Sequence, residues 1–142
     1  MIGASALVRV RVRARPVSNG RLARGGFMEL SYDPRSPYEV KLAETGPEAG
    51  EVVFARELLL QALAGQPAGE DLVRARLQQF DGAPHALLSL TVPGADGPLE
   101  FGLCDTTVAR FLRDTVALVP PGEEWRHVDF TDTIAEILRD AA

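Results

Sequence analysis

From Ala6 to Ala14 the chain alternates without interruption, placing Val8, Val10 and Val12 on one side and Arg9, Arg11 and Arg13 on the other. A period of two with β-branched residues is an extended strand, apolar on one face and cationic on the other. A helix would scatter both sets around its circumference. The remaining residues must therefore supply strands to pair with this one and an apolar layer to cover its valine face.

The partners follow in order. Ser18-Asn19-Gly20 offers the positive φ angles of a tight turn, and after Gly25-Gly26 the run Phe27–Tyr32 reads as the returning strand. Asp33-Pro34-Arg35-Ser36-Pro37 is the next turn, because two prolines fix φ and remove ladder donors. Tyr38, Val40 and Leu42 alternate in a third strand, and Glu51–Phe54 forms a short fourth. Ala55–Ala64 is built from strong helix formers and stops at Gly65. Alternation resumes over Val73–Gln78, continues in the apolar segment Ala86–Val92 and returns in Leu99–Leu103 after the Pro93–Pro98 turn. Asp105 is placed to cap a helix whose Val108, Phe111, Leu112, Thr115 and Val119 share one face. A last helix is expected to bury Phe130, Ile134, Ile137 and Leu138, with Thr133-x-x-Glu136 as its capping box. The expected fold is α+β: antiparallel sheets of about seven strands, one helix between the sheet halves and two C-terminal helices. Strands-then-helix occurs twice, as an architectural echo without repeated residues. Residues 1–142 are expected to form a single domain, for which 142 residues and 46% hydrophobic content are sufficient.

The net charge of -5 conceals two opposed regions. Residues 1–26 carry six Arg and no acid, +6, whereas the remainder carries nine basic and twenty acidic residues, -11. A basic segment on an acidic body can attract phosphate or an acidic protein surface although the whole chain is an anion. The single Cys excludes an internal disulfide framework, no apolar stretch approaches a membrane span, and no signal-peptide hydrophobic run precedes the Arg/Val strand. A cytoplasmic protein without direct membrane insertion is expected.

Catalytic chemistry needs titratable groups in mutual reach, and the inventory is thin. His85 and His127 have no metal-ligand spacing with Cys104 or each other, and are expected as solvent-facing loop residues. Cys104 ends an apolar strand beside Asp105 and is expected as a semi-buried thiol, not a nucleophile. Residues 19–26 lack the Gly-Lys-Ser/Thr ending of a phosphate loop. The pairs Glu70-Asp71 and Glu123-Glu124 read as solvated loop acids. No catalytic, cofactor-binding or metal site is expected. Trp125 reads equally as an interface anchor or as a rim residue covering the C-terminal helix.

The basic strand stands above this background. Arg9, Arg11 and Arg13 on one face are set roughly 7 Å apart, near the phosphate spacing of an extended single strand. Arg15 continues the series, and Phe27, Tyr32 and Tyr38 are candidate stacking rings for nucleic acid. Two other readings remain open: an edge strand protected from aggregation by its charge, or a face that meets acidic residues of another copy.

Particular residues resemble a known family. Phe54-Ala55-Arg56-Glu57-Leu58-Leu59-Leu60, Phe111-Leu112-Arg113-Asp114-Thr115 leading through Leu118-Val119-Pro120 to Gly122-Glu123, Glu29-Leu30-Ser31-Tyr32 with Pro37-Tyr38, and Asp129-Phe130 are similar to the SsgA-like regulators of sporulation-linked cell division in actinomycetes. The resemblance runs from about Met28 to the C-terminus and fades over the basic first 26 residues. It implies a non-enzymatic protein without cofactors that recruits or positions septation or cell-wall machinery, with the ring protein FtsZ as a representative partner. It also implies a homotrimer, septal localisation and a fold like the whirly-type single-stranded nucleic-acid-binding proteins.

Overall fold

The structure, a computed structural model, describes residues 7–46, 50–70, 72–128 and 137–140. The alternating segment is strand β1 (Val8–Ser18), with Val12 and Ala14 buried and Arg9, Arg11 and Arg13 exposed. It turns at Asn19-Gly20, whose φ angles of 53° and 75° are the left-handed pair that a two-residue hairpin demands. The short β2 (Arg21–Leu22) returns with Leu22 opposite Val17. β3 (Gly26–Tyr32), β4 (Glu39–Glu44) and β5 (Glu51–Ala55) follow, then helix α1 (Arg56–Leu63). The second half runs β6 (Ala68–Glu70), β7 (Val73–Phe80), β8 (Ala83–Leu90), β9 (Leu99–Cys104) and α2 (Asp105–Leu118), then a single 3-10 turn at Glu124–His127.

All the pairings are antiparallel, and the strand order is β5-β4-β3-β1-β9-β8-β7-β6, with β2 beside β1. The first half of the chain moves outward from the centre to β5. α1 then carries it across to the opposite edge at β6, and the second half moves inward to β9. This is the architectural echo of the sequence, closed by one pairing: Ala14, Arg15 and Pro16 lie opposite Leu103, Gly102 and Phe101.

That pairing corrects two expectations. The described strands form one nine-stranded sheet, where the sequence predicts more than one antiparallel sheet and about seven strands in all. β1, eleven residues long, is not an edge strand: its first part pairs with β3 from Val8–Tyr32 to Ala14–Gly26 and its later part with β9. A strand that long can serve a different partner on each side. β2 and β6 are two and three residues long, too short to show a period.

One face of the sheet holds the core. Val12, Leu30, Tyr32, Val40, Leu42 and Phe54 from the first half join Ala75, Ala86, Leu88 and Leu103 from the second. α1 adds Leu58, Leu59 and Ala62, and α2 adds the predicted Val108, Phe111 and Leu112, with Val119 beyond its end. Each fully buried side chain of this kind contributes about 1.5–3 kcal/mol. Asp105 does not cap α2: the N-cap is Cys104, without a side-chain bond, and Asp105 sits in the first turn, where a negative charge still favours the helix dipole. The predicted last helix lies partly outside the described residues, as do Phe130, Thr133, Ile134, Glu136 and the Asp71 of the acidic pair. Residues 137–140 are helical, but Ile137 and Leu138 are 61% and 65% exposed, not buried. Among the described residues, no helix is long and apolar enough to cross a membrane.

Candidate partner interface

The opposite face of the first half-sheet carries the arginine ladder, because every odd-numbered residue of β1 points away from the core. Across it the register places Ser31 opposite Arg9, Glu29 opposite Arg11 and Phe27 opposite Arg13. The Phe27 ring holds two guanidinium carbons, that of Arg11 at 4.0 Å from its centroid and that of Arg13 at 4.8 Å. A ring face attracts cations through its quadrupole, so the two arginines are held beside one another despite their like charge. Arg9 instead approaches Glu29 at 4.0 Å, and Lys41 approaches Glu51 at 3.7 Å. Both pairs are exposed and contribute little to stability. A hollow of 320 Å³ lies at the Arg9 end, lined by Glu29, Asp33, Glu39 and Lys41 among others.

Arg15 does not extend the ladder. Its Nε and Nη2 donate to the carbonyls of Ala23 at 3.1 Å and Leu22 at 3.3 Å, fixing the β2 hairpin. Leu22 lies over Gly102, where a Cβ would come within 2.7 Å of its Cδ2. Tyr32 is not a stacking surface. It is 1% exposed, and its hydroxyl donates to the Pro37 carbonyl at 2.9 Å. A side chain two steps from Leu30 on β3 shares its core face. Burial pushes the Tyr32 hydroxyl up from its ordinary pKa. Tyr38 is half exposed, and Trp125 is 55% exposed with the Arg126 guanidinium 5.2 Å from its ring.

A second cluster is invisible to local sequence reading. Arg56, the first residue of α1, is 1% exposed. It donates to the carbonyls of Thr115 at 3.2 Å and Val119 at 2.7 Å, and pairs with Glu124 Oε2 at 3.1 Å. Its guanidinium also lies 5.1 Å from the Tyr32 ring. The carbonyl end of a helix carries partial negative charge; Thr115 O still accepts the Val119 N–H at 2.9 Å, whereas the Val119 carbonyl lies past the last helical bond, so Arg56 closes α2 from another element. Glu124 is therefore not a solvated loop acid: its side chain is 12% exposed, and its Oε1 accepts the Gly122 N–H at 2.7 Å. Burial pushes its carboxyl up, but backbone N–H groups and Arg56 outweigh this and hold it below the usual range.

Cys104 and His85 face each other across β8 and β9. Cys104 is exposed, not semi-buried, and Thr106 Oγ1 lies 3.1 Å from its sulfur. That hydroxyl, with the backbone at Thr107, lowers the thiol's pKa. His85 lies within a strand, not a loop, with Nδ1 2.9 Å from the Ala83 carbonyl and its ring edge-on to Phe80. His127 is exposed, as expected. Among the described residues, no three His, Cys, Asp or Glu side chains are grouped to hold a metal. A cavity of 480 Å³ between β6–β7 and the β8–β9 loop is lined by Arg74, Arg76, Ser89 and Glu100 among others.

Residues 27–124 match the family model of the Streptomyces sporulation and cell division protein, SsgA. The chain belongs to the SsgA family. The match covers the chain from Phe27 in β3 through β9, both helices and the Arg56–Glu124 pair, and leaves out β1 and the Arg-rich hairpin. Among curated SsgA-family relatives, the sporulation-specific cell division protein SsgB of Kineococcus radiotolerans is 39% identical over 111 residues. That alignment covers 77% of this chain and 66% of the relative, just under two thirds of its length. SsgB of Streptomyces coelicolor is 35% identical, with 79% of this chain and 81% of the relative covered. An SsgB structure, solved in work on mutations that correlate to longitudinal cell division during sporulation of S. coelicolor, superimposes with a TM-score of 0.76 at 32% identity. It covers 87% of this chain and 96% of that one. The SsgA-like sporulation-specific cell division protein of Thermobifida fusca superimposes with a TM-score of 0.77 at 27% identity, covering 99% of both chains.

Proposed function

We propose that this SsgA-family chain acts in sporulation-linked cell division, as a non-enzymatic scaffold that recruits or positions division or cell-wall machinery through protein contacts. The observation that carries this reading is its likeness to SsgB over nearly the whole of a solved chain. In this reading it works in the cytoplasm at the septum, as a single domain assembled into a homotrimer. FtsZ is the first partner to test. The alternation of four-stranded halves with helices supports the comparison with whirly-type proteins as an architecture; architecture alone does not assign nucleic-acid binding. A tagged copy should enrich at sporulation septa, and the purified protein should co-sediment with polymerised FtsZ. Absence of both, with folded protein, would overturn the reading. A trimeric mass in solution supports the assembly, and a monodisperse monomer counts against it.

A further inference from the structure

The ladder is not uniform. Arg9 is engaged by Glu29 and Arg15 by the hairpin carbonyls, whereas among the described residues Arg11 and Arg13 have no carboxylate within 4.0 Å and share a ring contact with Phe27. Among the described residues no hydrogen bond or ion pair takes up the N–H edges of either guanidinium. Those edges form the planar fork that matches a carboxylate. Phe27 is 40% exposed, so part of its surface remains open beside the two charges.

We propose that Arg11 and Arg13, both packed on Phe27, form a docking site for an extended acidic segment of a partner protein, with carboxylates at alternate positions. The proposal rests on the scaffold reading and supplies its contact chemistry. Two guanidinium groups at i and i+2 repeat at roughly 7 Å, the interval at which an extended peptide presents side chains on one face. A long polyanion fits less well. The Phe27 ring is partly taken up by guanidinium and Tyr32 is buried in the core, so of the three candidate stacking rings of a single-strand binder only Tyr38 stands open, away from the two arginines in sequence and on another strand's entrance. The chain is also -5 overall, which opposes a continuous phosphate backbone beyond the patch, whereas a short segment meets only charges within about a Debye length, ~8–10 Å.

The test uses the purified full chain and a fluorescent peptide of about twelve residues alternating Glu with Thr, long enough to span the strand. Its controls are the Gln-for-Glu peptide and an oligothymidylate of equal charge. The Glu peptide should bind at low salt and weaken as salt rises. Affinity should fall about tenfold or more in Arg11→Ser/Arg13→Ser, the loss expected for two charge-assisted contacts. It should fall less in Arg11→Lys/Arg13→Lys, which keeps charge without the fork, while Arg21→Ser/Arg24→Ser binds nearly as wild type. Both ladder variants should retain the wild-type circular dichroism spectrum and sedimentation coefficient. Equal binding by wild type and the Ser variant, equal binding of the Gln peptide, or tighter binding of the oligonucleotide would overturn the site. A changed sedimentation coefficient in the Ser variant would also overturn it, by assigning the ladder to contacts between copies. If peptide binding fails while the wild-type protein enriches at septa, the site is wrong and the division reading stands. If septal enrichment and FtsZ co-sedimentation both fail, the division reading falls whatever the peptide does.

Discussion

Replacing Arg56 with Met keeps much of the side-chain volume and removes every polar contact of the guanidinium. The Val119 carbonyl loses its donor at 2.7 Å, and an orphaned buried acceptor costs about 1–3 kcal/mol; the Thr115 carbonyl loses a second donor at 3.2 Å but keeps the Val119 N–H at 2.9 Å. Glu124 also loses its partner at 3.1 Å, but its 12% exposure lets the carboxylate turn toward water. The substitution returns something as well. A guanidinium whose Nε finds no partner no longer has to be desolvated. The net expectation is a loss of about 1–3 kcal/mol, a substantial fraction of a typical domain's 5–15 kcal/mol. Urea unfolding followed by circular dichroism should show a lower midpoint at unchanged slope. Hydrogen exchange should quicken at the end of α2. Arg13→Met, at an exposed position on the same sheet, should stay within about 0.5 kcal/mol of wild type. If Arg56→Met is no more destabilising than Arg13→Met, the closure of α2 by this side chain is refuted.

Three further outcomes follow from the same geometry. Glu124 has a lowered folded-state pKa, so its contribution is present above the unfolded value of about 4.3 and lost as pH falls through the folded one. Glu124→Gln should therefore be less stable than wild type at neutral pH, with the gap narrowing in acid; a constant gap would refute the linkage. Gly25→Ala would drive a Cβ into the Ala14 carbonyl and within 2.7 Å of the Arg15 Cα. It should cost more than about 2 kcal/mol by thermal unfolding, against less than about 1 kcal/mol for Gly26→Ala, which meets open space. The lowered pKa of Cys104 should place the midpoint of its alkylation-rate profile below that of an ordinary thiol. Thr106→Val should raise it, and an unchanged midpoint would exclude the hydroxyl as the cause.

Much of the fold was legible because its signals are local. Period two placed Val12 and Ala14 inward and the odd-numbered arginines outward, Asn19-Gly20 announced the hairpin, and the spacing of Val108, Phe111 and Leu112 described the buried stripe of α2. Less of the candidate interface could be read. The sequence pointed to Arg9, Arg11, Arg13 and Arg15 as equals, although only Arg11 and Arg13 keep free guanidinium edges. The difference arises from Glu29, from the hairpin carbonyls and from Phe27, which register brings alongside. Arg56 and Glu124 stand 68 positions apart, and no period links them.

By itself, the sequence determined the alternation of β1, the breaks that end each strand, the apolar face of α2 and the split between a basic beginning and an acidic remainder. These are properties of a residue and its near neighbours, where φ preference and side-chain spacing act. Tertiary structure alone decided that β1 is central, that the two halves join into one sheet through β9, and that one buried arginine closes a distant helix. It also decided which arginines remain open. Each of these depends on which groups desolvate together, and pairing across the sheet brings together residues that are distant in the chain.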